Sequence, residues 1–211
     1  MKKVFYNFLV IIAGIAIITS CGNKKPVDST TKTIENLKAA IKGETTASAK
    51  YAAYAQKATE EGFAQIAVLF QATSKAEEIH AKNHTSVLTK LGGNMDAITP
   101  EFEVKTTKEN LDDAIKGEKY EIATMYPEFL KAADEEKVTD ATKSFNWAMD
   151  TEKKHADLYQ KAIDALAAND LTKMVVEYFV CPTCGNTFET GIIDEKCGFC
   201  QTSKEKFISI K

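Results

Sequence analysis

The chain has 211 residues, enough for one sizeable core and a small appended module. Its 44% hydrophobic and 27% charged content is ordinary for a globular protein. A formal net charge of −3, with no basic stripe, excludes nucleic acid as the expected partner.

Lys2 and Lys3 precede an apolar run from Phe8 to Ile18, and Thr19-Ser20-Cys21 follow it. A basic start, a short apolar core and small residues at the break predict a secretory signal over 1–20. The run falls short of the roughly 20 residues that span a bilayer. Ile18-Thr19-Ser20-Cys21 resembles a bacterial lipobox, so Cys21 is the expected lipidation site. The chain is then an exported lipoprotein anchored to a membrane of the cell envelope. Residues 21–31 are expected to form a flexible tether.

Helical periodicity begins with Ile34, Leu37, Ala40 and Ile41 and runs through an Ala-rich stretch to a break at Gly62. It resumes from Phe63 to Leu91 and ends at Gly92-Gly93. Residues 94–105 are longer than a hairpin needs and fit the long crossover of some four-helix bundles. Thr106-x-x-Glu109 is a capping box for a third helix reaching about Glu136, and a fourth covers about Thr139 to Ala168. Pro127 stands inside the third helix, where it should cost about 3 kcal/mol; it reads either as a tolerated kink or as a local opening.

One stretch occurs twice. Glu-Asn-Leu-x-x-Ala-Ile-Lys-Gly-Glu at 35–44 returns at 109–118, an offset of 74, and Glu77-x-x-His80 returns as Glu152-x-x-His155, an offset of 75. A spacing of three puts Glu and His on one helix face. Two lone carboxylates, Glu44 and Glu118, plus two Glu-x-x-His pairs make the ligand set of a dinuclear site inside a four-helix bundle. Buried carboxylates without cations are prohibitively costly, and this donor set suits iron or manganese. Glu121 adds a carboxylate in the second half, where the first half has Ala47. His84 is read as a supporting or exposed residue, not a ligand.

Cys181-x-x-Cys184 and Cys197-x-x-Cys200 supply four thiolates for one tetrahedral ion. Iron and zinc both use such knuckles, and an oxidising compartment adds disulfides as a third possibility. Tyr178, Phe179, Phe188, Phe199 and Phe207 are expected to form the core of this module. The bundle is expected to close without the tail beyond Lys173.

In these motifs, over residues 32–211, the chain resembles the rubrerythrin family. The resemblance implies a mainly α fold: a ferritin-like four-helix bundle at 32–168, then a small rubredoxin-like metal-binding domain at 174–211. It implies a non-haem diiron site held by Glu44, Glu77, His80, Glu118, Glu121, Glu152 and His155. It also implies one iron (zinc being the alternative ion) on Cys181, Cys184, Cys197 and Cys200. Tyr51, two turns after Glu44, and Tyr126 look like the family's tyrosines beside the diiron pair, and Glu121 like its exchangeable ligand. The implied activity is peroxidase: hydrogen peroxide is reduced to water with electrons from a reductase that the sequence does not name. A homodimer is the expected assembly. The alternatives are a ferritin-like iron oxidase or storage protein and a binding module with a structural zinc ribbon.

Overall fold

The computed structural model describes Met1 and residues 30–211, so the signal, Cys21 and nearly all of the tether lie outside the described residues. Five helices form the bundle: α1 (Thr31–Glu60), α2 (Ala64–Lys90), α3 (Thr107–Tyr120), α4 (Tyr126–Glu135) and α5 (Thr139–Ala167). Between α3 and α4 runs a π-helical segment, Glu121–Met125, so these three pieces act as one long third helix. No described helix is long and apolar enough to cross a membrane.

The core consists of two apolar clusters separated by a polar layer. One contains Tyr51, Leu69, Phe70, Leu111 and Tyr159; the other contains Leu37, Ile41, Leu88, Tyr126 and Phe145. Along α2 and along α3–α4 the chain passes from the first cluster to the second, so these two are parallel and α1 and α5 oppose them. Joining parallel neighbours requires a return along the bundle. Residues 91–106, at up to about 3.3 Å each, supply it. The long crossover is therefore observed.

Helix starts are held across the repeat. Glu61, in the first hairpin turn, accepts from the Thr107 N–H at the start of α3 (2.9 Å). Glu136, in the second, accepts from the N–H groups of Lys32 and Thr33 at the start of α1 (3.0 and 2.8 Å). Each carboxylate satisfies orphan donors and meets the positive end of a helix dipole. The Thr106–Glu109 capping box also forms, adding about 1 kcal/mol.

The π segment explains the change of offset from 74 to 75. It inserts one residue into the second half between Glu118 and Tyr126, so Tyr51 pairs in register with Tyr126. Tyr126 N–H reaches back five residues to the Glu121 carbonyl, and Pro127 falls in the first turn of α4. A proline is tolerated there, because a first-turn N–H has no partner within its own helix. The expected cost of Pro127 as a helix-interior residue is thus corrected: it follows a π segment and stands in the first turn of α4.

The tail forms a sheet of order β2-β1-β3, all antiparallel, from β1 (Tyr178–Val180), β2 (Thr187–Glu189) and β3 (Ile208–Ile210). Its two sides differ. Phe179, Phe188, Phe199 and Phe207 pack around the cysteines together with Trp147 of α5. Met174, Tyr178 and Val180 instead join the first core cluster of the bundle, with Tyr178 1% and Val180 0% exposed. Two expectations are corrected here. Tyr178 belongs to the bundle's core, and the tail is not separate from that core, since burying Val180 alone contributes about 1.5–3 kcal/mol.

Candidate metal centres

The repeat brings its acids together at mid-bundle. α1 carries Glu44, α2 Glu77 and His80, α3 Glu118, and α5 Glu152 and His155, all buried. Their ligand atoms fall into two overlapping sets, each within 4.8 Å: Glu44, Glu77, His80 and Glu152, and Glu77, Glu118, Glu152 and His155. Glu77 and Glu152 belong to both, so two ions held here would share them. His80 Nδ1 lies 2.8 Å from Glu77 and 2.9 Å from Glu152; His155 Nδ1 lies 3.1 Å from Glu77 and 2.9 Å from Glu152.

These donors fit a metal pair better than any internal pairing. Glu44 Oε2, Glu77 Oε1, both Glu152 oxygens and His155 Nδ1 are buried without an aligned hydrogen bond, a costly state without cations. Imidazole nitrogens lie close to these Glu77 and Glu152 oxygens but do not point an N–H at them. Burial, then the neighbouring carboxylates, pushes Glu44 and Glu118 far above the usual range. Burial opposes charge on His155, but Glu77 and Glu152 outweigh it and lift it to about 10. His155 and then His80 pull Glu77 down to about 2 against its burial. The cavity thus attracts positive charge.

Glu121, the first residue of the π segment, lies outside both ligand sets and is the half-exposed member of the seven. Burial of its carboxyl, and then Glu44, Glu152 and Glu77, still raise its pKa strongly. It borders the cavity on the side where the π segment meets solvent.

The two tyrosines cross between halves. Tyr51 on α1 donates to Glu118 Oε1 (2.8 Å), and Tyr126 on α4 donates to Glu44 Oε1. Sequence reasoning missed what lies behind Tyr126. His84 is fully buried, with Nε2 3.2 Å from the Tyr126 oxygen and Nδ1 2.7 Å from Ser144 Oγ. Burial, then His80, pulls His84 down to about 3, so the ring is neutral. Because the Tyr126 proton goes to Glu44, His84 Nε2–H must donate to Tyr126 and Ser144 must donate to Nδ1. The exposed reading of His84 is corrected: it holds Tyr126 in place.

The four cysteines form the second centre, with all four sulfurs within 4.8 Å of one another. All are free, which corrects the disulfide alternative: Cys181 and Cys200 sulfurs are 3.4 Å apart, Cys184 and Cys197 3.5 Å. Each knuckle closes with the same turn, Gly185 N–H to Cys181 O and Gln201 N–H to Cys197 O, both 2.9 Å. Hydrogen bonds from Cys181, Cys184 and Asn186 hold Cys197 as the thiolate.

The two centres meet at residues 185–187. Gly185 has φ +84° and packs on His80; a Cβ there would sit 2.4 Å from His80 Nε2. Thr187 Oγ1 donates to Gly185 O (3.2 Å), so it accepts from His155 Nε2–H at 2.9 Å. That bond leaves His155 Nδ1 free for metal, as a good outer partner should. The Cys-x-x-Cys-Gly signature was visible in the sequence; its target on the bundle was not.

A four-helix bundle with this carboxylate–histidine layer and an appended four-thiolate module defines a diiron non-haem protein of the ferritin-like class. The sequence model of the rubrerythrin family matches residues 35–163. Rubrerythrin-2 of Clostridium acetobutylicum is 34% identical over 178 residues, 83% of this chain and 95% of that protein. Nigerythrin of Nitratidesulfovibrio vulgaris is 38% identical over 183 residues, 83% and 85% respectively. The solved structure of fully reduced, all-ferrous nigerythrin matches with a TM-score of 0.76 at 34% identity, over 95% of this chain and 100% of that one. The chain belongs to the rubrerythrin family.

Proposed function

We propose that this protein is a peroxidase that reduces hydrogen peroxide to water, with its electrons entering through the four-cysteine centre. The observation that carries the reading is the contact of residues 185–187 with both metal-site histidines of the same chain. A storage protein has no need of that contact. Held by Glu44, Glu77, His80, Glu118, Glu152 and His155, a diiron pair would supply two electrons to peroxide, which with two protons gives two waters; an iron on Cys181, Cys184, Cys197 and Cys200 would return those electrons one at a time.

The residues around the cavity set the conditions for that chemistry. The two apolar clusters exclude water from both ends of the layer. Tyr51 and Tyr126 fix the Glu118 and Glu44 carboxylates, and Ser144 and His84 fix Tyr126. Glu121 borders the cavity without belonging to either ligand set, which suits a carboxylate that engages an ion in only one redox state. Glu121→Ala is accordingly expected to lower peroxide turnover by about tenfold, a barrier change near 1.4 kcal/mol, while iron per chain stays at the wild-type value. Normal turnover would end the exchange idea, and loss of both cavity irons would make Glu121 an ordinary ligand.

We further propose that the chain is exported and membrane-anchored. The lipobox-like segment motivates lipidation of Cys21 and export to the envelope. Cys21→Ser is expected to move the protein from the membrane fraction to the soluble one. A Ser variant that is cleaved normally yet stays membrane-bound would refute the anchor.

A further inference from the structure

Lys154 sits in α5 between the two metal sites, next to His155 in sequence, and its side chain points away from the diiron layer into the cysteine module. Its Nζ donates to Asn186 Oδ1 at 2.6 Å, and Asn186 Nδ2 donates to Cys197 Sγ at 3.4 Å. The ammonium also lies 4.7 Å from the Phe188 ring centroid and 4.9 Å from that of Phe199. Asn186 is buried and Lys154 half-buried, so both interactions are shielded from water.

We propose that Lys154 is a positioning residue for the thiolate iron: it fixes the Asn186 amide toward Cys197 and thereby raises that iron's reduction potential. The inference rests on the reading that the four cysteines hold iron. An amide can face a sulfur with either end. Lysine has only donors, so the Asn186 oxygen must turn to Lys154 and the N–H to the thiolate. Pulling on the amide oxygen polarises the N–H, so this bond to sulfur is stronger than an isolated amide would make. The four-thiolate centre as a whole carries one more negative charge with ferrous than with ferric iron. A hydrogen bond to sulfur and a nearby cation both favour the reduced form. The bundle would thus set how readily the module accepts an electron, through the residue beside its own metal ligand.

The bland alternative is a strut that only pins the module to α5. The two roles separate in a redox titration of the full-length, iron-loaded chain, followed by its thiolate-to-iron charge-transfer band. Lys154→Met keeps the length and loses the charge. At any fixed potential its oxidised-to-reduced ratio should rise about tenfold, equivalent to 59 mV for one electron. Lys154→Arg, which still donates, should stay within about twofold of wild type. Asn186→Leu, which leaves Lys154 in place but removes the N–H, should shift in the same direction as Met. A strut alone would leave all three potentials at the wild-type value, and that result overturns the proposal. So does an Arg shift as large as the Met shift. If Lys154→Met fails to load iron, Asn186→Leu decides, and an unshifted potential there is fatal. Absence of the charge-transfer band from wild type would overturn both this inference and the iron reading beneath it.

Discussion

Glu152→Ala is expected to empty the carboxylate cavity. Iron should fall from about three ions per chain to about one, the survivor being the thiolate iron. Glu152 belongs to both ligand sets, and its oxygens face the two histidine nitrogens at 2.9 Å without an aligned hydrogen bond. Its loss removes a shared anion from both ions at once, where losing Glu44 or Glu118 removes one from a single ion. Peroxide turnover should fall by more than the roughly 10–100-fold typical of losing an outer-sphere partner. Glu78→Ala, one residue from Glu77 and paired on the surface with Lys75 and Lys82, is the control and should change neither quantity. Metal analysis with the visible spectrum checks both variants. Two cavity irons retained in Glu152→Ala would show that the buried acids are not a shared metal site.

Gly185→Ala is expected to pull the two centres apart. The backbone there has φ +84°, and a Cβ would stand 2.4 Å from His80 Nε2 and 3.2 Å from the Ala76 carbonyl. Left-handed strain alone costs roughly 1–2 kcal/mol, which for a chain of this size lowers Tm by about 2–8 °C. Gly191→Ala serves as the reference, because Gly191 has φ +88° with nothing within 4 Å of its Cβ position. Gly185→Ala should fall clearly below that reference in Tm, since either the module lifts from α2 or His80 turns out of the layer. Peroxide turnover driven through the thiolate iron should drop by about tenfold or more, with the thiolate bands retained. Equal behaviour of the two variants in both measurements would mean that the close approach at His80 has no consequence.

Much of this was legible in the sequence because the chain repeats itself. Glu44 with Glu118, and Glu77-x-x-His80 with Glu152-x-x-His155, keep register across the two halves, as surface residues have no reason to do. The long crossover was readable from linker length, and the knuckles from cysteine spacing. The step from 74 to 75 residues was also in plain view, yet only the folded helix shows that the extra residue is a π insertion at Glu121. What escaped was the docking of the module. Strands of three residues carry too little alternation to reveal that Tyr178 and Val180 face the bundle while Phe179 faces the cysteines. His84, Lys154 and Asn186 were hidden for another reason. Each matters through side-chain hydrogen bonds to residues distant in the chain, and no periodic pattern records such bonds.

Oxidation of reduced iron by peroxide, with recharging through the four-cysteine centre, is the behaviour expected of this chain. Its most direct test is anaerobic mixing of the all-ferrous, full-length chain with hydrogen peroxide, followed by absorbance and by metal analysis before and after. About one peroxide per chain should be consumed in the first phase, two electrons for each peroxide. Thiolate-to-iron bands should then appear as the remaining ferrous ion is oxidised, with iron constant at about three per chain. Ferrous iron that dioxygen oxidises faster than peroxide, with iron accumulating beyond that number, would rule out the peroxidase reading and point to an iron-storing oxidase.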